Sequence, residues 1–147
     1  MRRATSQIGK MHRAFSSSSQ PAHHRNIMNI GDKYPVLAAE IFVAPNAAVV
    51  GQVLALDSAS IWYGAVVKGD KNKVKIGICS AIKDRAIIDT VTSLASGHPA
   101  EVDIGRNCIV EAGAIVTSSI LGDHVQIGVG AIVCEGCVIE QNSIIAA

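Results

Sequence analysis

The side chains of this chain that could do chemistry are few. Cys134-Glu-Gly-Cys137 has the C-x-x-C spacing of redox and zinc sites. A redox pair belongs beside a βαβ pattern, and a structural zinc needs a second Cys or His pair. Neither accompanies it, so Cys79, Cys108, Cys134 and Cys137 read as reduced structural thiols. Outside the first 25 residues the only histidines are His98 and His124. His98 lies in a Gly97-His98-Pro99 segment, and Glu111 is one of the acids between the two. Lys68 and Asp70 form a close opposite-charge pair, followed by Lys71, Lys73 and Lys75. That basic edge reads as solvated, or as a contact for an acidic partner.

The elements that position these residues follow a beat of six. Leu121, Ile127, Val133, Ile139 and Ile145 start consecutive hexads, and Ile104, Val110 and Val116 keep the beat with one five-residue step. Upstream come Ile76, Ile82 and Ile88, then Val43, Val50, Ala55, Ile61 and Val67 with less regular steps. Four residues after a starter the side chain is small or branched, as at Val125, Ala131, Cys137 and Ser143. Cys108 falls on the same slot, which gives it a packing role. This is the pattern of a left-handed parallel β-helix of hexapeptide repeats, three hexads to a triangular coil. About sixteen starters imply about five coils. Gly or Asn is expected at the tight corners. An antiparallel sandwich does not hold a fixed period of six. Two segments interrupt the beat: a polar bulge from Lys68 to Lys75, and a loop from Thr90 to Asp103.

Composition agrees. Hydrophobic residues make up 49% of the 147 residues, but aromatics only 3%. An interior filled by Val, Ile and Ala suits narrow stacked coils. No run of 18 apolar residues occurs. Arg2, Arg3, Lys10, Arg13 and Arg25 leave 8 of the 13 basic residues against 12 acidic ones in the body. A body with a net charge of −4 argues against nucleic acid as partner.

Residues 1–25 divide from the body at 26–147. They are rich in Arg and Ser, contain no acid, and place Ile8, Met11 and Phe15 on one face of a helix. These are traits of a mitochondrial transit segment. Arg13-Ala-Phe-Ser16 resembles a matrix-protease cleavage site. A basic tail is the alternative, with His23 and His24 as solvated residues.

Longer motifs narrow the family. Phe42-Val-Ala-Pro-Asn-Ala47, Ile61-Trp-Tyr-Gly-Ala-Val66 with Lys68-Gly-Asp70, Ile82-Lys-Asp84, Ile104-Gly-Arg-Asn107 and Ile127-Gly-Val-Gly-Ala131 stand in one order. Together they resemble the γ-class carbonic anhydrases over about residues 35–147. The resemblance implies a trimer with zinc sites between subunits, two histidines from one chain and one from the next. It places those ligand positions at Asp89, Ala112 and Thr117, none of them histidine. It also puts Lys68 where the family has the arginine of R-G-D, and Lys83 at the glutamine beside zinc. Lys68, Asp70 and Asp84 are then expected at the subunit interface, with a solvated surface pair as the alternative for Lys68 and Asp70.

A catalytic zinc needs three protein ligands and an open water position. The resemblance therefore implies a catalytically silent chain with no cofactor of its own. It implies a heterotrimer with two other γ-carbonic anhydrase-like subunits on the matrix side of the mitochondrial complex I membrane arm. Zinc remains possible at the site between the two partner subunits. Contact with the membrane is expected only through partners or the N-terminal segment. Two alternatives stay open: a carbonic anhydrase or bicarbonate binder rebuilt on His98, Glu111 and His124, and a hexapeptide acyltransferase. The family usually continues beyond the position of Ala147 with a further partial coil and a helix, so truncation or capping by a partner is expected here.

Overall fold

The computed structural model describes residues 25–147. The transit-segment expectation for residues 1–25 falls, apart from Arg25, outside the described residues. Sixteen strands follow in chain order. They are β1 (Ile27–Met28), β2 (Val36–Leu37), β3 (Phe42–Val43), β4 (Ala48–Ala55), β5 (Ser60–Ile61), β6 (Val66–Ile76), β7 (Ala81–Ile82) and β8 (Ile87–Asp89). Then come β9 (Val102–Ile104), β10 (Ile109–Val110), β11 (Ile115–Thr117), β12 (Ile120–Leu121), β13 (Gln126–Ile127), β14 (Ile132–Val133), β15 (Val138–Ile139) and β16 (Ile144–Ile145). All strand pairs are parallel, and each strand pairs with its equivalent one coil away. The result is a parallel β-solenoid with no helix among the described residues, so none is long and apolar enough to cross a membrane.

One face stacks β3, β5, β7, β10, β13 and β16. The second stacks β1, the start of β4, the start of β6, β8, β11 and β14. The third stacks β2, the end of β4, the end of β6, β9, β12 and β15. Each face thus carries six rungs, more than the five coils counted from starters. The difference is the first turn, β1 and β2: Leu37 lies six residues before Val43 and extends the beat by one uncounted starter, whereas Ile27 pairs with Val49 22 residues away and is out of phase.

The starters form the core. Ile61, Val67, Ile76, Ile82, Ile88, Ile104, Val110, Val116 and Ile127 are fully buried. One starter is corrected: Val49 is buried and pairs with Val67, whereas Val50 is only half-buried and pairs with Lys68. Shifting by one residue turns a strand's side chains to the other face. With Val49 in place, the beat of six runs unbroken from Val43 through Ala55 and Ile61 to Val67. The small slots are also buried, at Ala47, Ala59, Ala65, Ser80, Ala86, Cys108, Ala114, Val125 and Ala131. Cys137, on the same slot near the last coil, is exposed.

Corners need a left-handed residue, and Gly64, Gly113, Gly130, Asn107 and Asn142 supply it as expected. Ser58, Cys79, Arg85 and His124 do so as well, at φ of 56–59°. His124 is therefore a corner residue, its N–H donating to the Arg106 carbonyl at 2.8 Å. The glycine after a starter answers a different need. A Cβ on Gly105 would meet the carbonyl carbon and oxygen of Gly122 at 2.6 Å, because the next coil's backbone lies against it.

Candidate functional site

The second face brings two of the three expected ligand positions together. Asp89 at the end of β8 and Thr117 at the end of β11 are register partners on adjacent coils. Both are half-buried. Ala112 sits elsewhere, in the turn before β11, where its carbonyl accepts the Gly130 N–H at 3.0 Å. Within one chain it stands at the opposite end of that strand from Thr117.

Lys68 completes the column. Val67 pairs with Ile88, so the next residues, Lys68 and Asp89, face each other across one rung. The Lys68 ammonium lies 3.2 Å from Asp89 Oδ1 and 3.8 Å from Asp70 Oδ2. Lys68, Asp70 and Asp89 thus form one cluster. Asp84, the other expected interface residue, lies on the turn after β7, where its carbonyl accepts the Gly113 N–H at 3.0 Å.

Thr90, Asn72 and Ser118 fix this cluster and were not among the sequence candidates. Thr90 is fully buried. Its N–H donates to Asp89 Oδ1 at 2.9 Å, and its hydroxyl donates to the Lys68 carbonyl at 3.2 Å and lies 3.4 Å from Asp70 Oδ1. The Asn72 amide donates to the Val91 and Thr92 carbonyls at 2.6 and 3.1 Å. The buried Ser118 hydroxyl accepts the Val91 N–H at 2.8 Å and donates to the Ala100 carbonyl at 2.7 Å. One hydroxyl therefore pins both ends of the loop that carries His98. Polar residues where a loop leaves the prism were the available sequence signal. Burial acts to raise the Asp70 pKa, but the Lys71 N–H and the nearby Lys68 charge outweigh it and hold the group below its ordinary value.

The family's zinc can be tested against this donor set. Alanine has no donor, threonine's neutral hydroxyl is a poor zinc ligand, and the Asp89 oxygen is already held by an ammonium and an N–H. These residues do not fit zinc. The substitute set does not assemble within one chain either. Among the described residues, no three His, Cys, Asp or Glu side chains group as a metal site. Glu111 instead accepts a hydrogen bond from Gln126 at 3.3 Å. Lys83, at the glutamine position, lies 4.7 Å from the centre of the Trp62 ring, a cation–π contact.

No protein-family model matches the chain. It is 37% identical over 128 residues to the protein named γ carbonic anhydrase 1, mitochondrial, of Arabidopsis thaliana, covering 87% of this chain and 46% of that protein. It is 34% identical over 126 residues to γ carbonic anhydrase 2, mitochondrial, of the same plant, covering 86% and 45%. It is 37% identical over 94 residues to γ carbonic anhydrase-like 2, mitochondrial, covering 64% and 37%. The chain thus spans about half or less of the length of these relatives. Among solved structures, a hexapeptide transferase family protein from Anaplasma phagocytophilum superposes with a TM-score of 0.61 at 23% identity, covering 82% of this chain and 78% of that one. This likeness concerns the fold. With motifs, solenoid and relatives in agreement, the chain belongs to the γ-carbonic anhydrase-like family.

Proposed function

We propose that this protein is a catalytically silent γ-carbonic anhydrase-like subunit with a structural role. It is the member of a heterotrimer that keeps the left-handed β-helix scaffold and gives up the metal. The observation that carries this reading is the content of the three ligand positions: Asp89 is ion-paired to Lys68, and Ala112 and Thr117 offer no adequate donor. The family's trimer on the matrix side of the complex I membrane arm is the setting for such a chain. The acid-free, Arg-rich residues 1–25 and the mitochondrial names of the relatives support that address.

A consequence follows from the family's shared sites. A chain that contributes two ligands to one site and one to another disables both when all three are lost. Only the site between its two partners is then able to hold zinc.

The test has two arms. Purified protein gives no CO2 hydration above the uncatalysed rate, and the native protein co-migrates with a large respiratory complex on a native gel of mitochondrial membranes. Hydration that disappears on Glu111→Gln or His98→Ala would instead favour the rebuilt site.

A further inference from the structure

We propose that the Lys68 ammonium is the resident cation of the vacated site, a tethered charge that bars a divalent ion from Asp89. The inference rests on the reading of position 89 as a former ligand position. It goes beyond silence to say what took the metal's place.

The geometry points to a seat for a cation rather than a chance pair. Lys68 lies between two carboxylates, 3.2 Å from Asp89 and 3.8 Å from Asp70. Neither carboxylate is free to swing away. Asp89 Oδ1 accepts the Thr90 N–H at 2.9 Å, and Asp70 Oδ1 accepts the Lys71 N–H at 2.8 Å. Thr90, buried between them, is itself bonded to the Lys68 carbonyl. The Thr117 hydroxyl stands one rung further along the same column. The donors gathered here are all oxygens. Oxygen-only sites suit hard divalent ions such as Mn2+, Mg2+ and Ca2+, whereas zinc prefers nitrogen and sulfur. With Lys68 present, one of the two carboxylate charges is already balanced, and an incoming ion would meet a fixed positive charge seated between them. With Lys68 removed, two anchored carboxylates lose their counter-charge.

The experiment uses the full chain with Lys68→Met, which keeps the stem's length and apolar character at a position whose side chain is 39% exposed. Binding of Mn2+ is followed by the loss of the free-ion electron paramagnetic resonance signal. Wild-type protein is expected to show no saturable binding. Lys68→Met is expected to gain one ion per chain with a Kd on the order of 10⁻⁴–10⁻³ M, as for weak oxygen-only sites. Lys68→Met with Asp89→Asn is expected to lose it again. Lys68→Gln provides the same measurement should the Met variant fold poorly. Absence of binding in folded Lys68→Met and Lys68→Gln, or equal binding by wild type, overturns the proposal. Zinc held by wild-type protein through other residues would instead overturn the silent-subunit reading, so the two failures are distinct.

Discussion

Lys68 and Asp89 face each other on adjacent coils, the ammonium 3.2 Å from the carboxylate oxygen, in the column that holds the expected ligand positions Asp89 and Thr117. The pair is partly exposed, at 39% and 33% of the two side chains. Pairs of this kind couple by under about 1 kcal/mol. A double-mutant cycle with Lys68→Met and Asp89→Asn, read by urea denaturation, is expected to give a coupling of that size, decreasing as salt rises. A coupling of several kcal/mol would mean the pair is far less screened than its exposure indicates.

The same cluster makes stability depend on acid. Asp70 is held below its ordinary pKa, so the folded state binds its proton less readily than the unfolded chain. Its contribution is complete above about pH 4 and is lost as pH falls through the depressed folded-state value. Asp123 shifts the same way, because the Arg106 backbone and side-chain N–H groups donate to it. Asp70→Asn is therefore expected to flatten the fall in thermal stability below about pH 4. A curve that stays parallel to wild type would show that Asp70 titrates alike in both states.

The loop that carries His98 hangs on one hydroxyl. Ser118→Ala leaves the Val91 N–H and the Ala100 carbonyl without their partner. The expected loss is about 1–3 kcal/mol, with faster proteolysis between residues 92 and 99. Unchanged proteolysis would assign the loop's order to the Asn72 contacts alone.

The stacked core answers to volume from inside and to backbone spacing at the corners. Ile104→Ala, at a fully buried starter, is expected to cost about 2–5 kcal/mol. Gly105→Ala is expected to destabilise too, since its new Cβ would press on the Gly122 backbone. Thermal denaturation of both variants beside wild type checks this. A neutral Gly105→Ala would mean that the coils can separate locally at little cost.

Most of the solenoid was legible because its signal is local and periodic. Ile76, Ile82, Ile88 and Ile104 declare themselves by type and spacing, and the structure buries each. Val50 misled because two valines sit side by side, although the spacing of six between Val43 and Ala55 falls on Val49, which the structure buries and pairs with Val67. In the first turn β2 lay within reach, since Leu37 stands six residues before Val43, but β1 was not legible, because Ile27 pairs with Val49 at 22 residues, off the beat. The candidate site was legible only as a list of positions. Lys68 and Asp89 are 21 residues apart, a distance that becomes one rung once the polar bulge after Lys68 is accounted for. Thr90 and Ser118 were missed because a buried hydroxyl between strands looks, in sequence, like any loop residue.

Whether this chain holds metal at the former ligand positions is read by elemental analysis. The protein is expressed alone with ample zinc, dialysed, and isolated in its oligomeric state. Zinc is expected far below one ion per three chains, with none retained at Asp89, Ala112 and Thr117. Stoichiometric zinc in a homo-oligomer of this chain, resistant to dialysis, would contradict it.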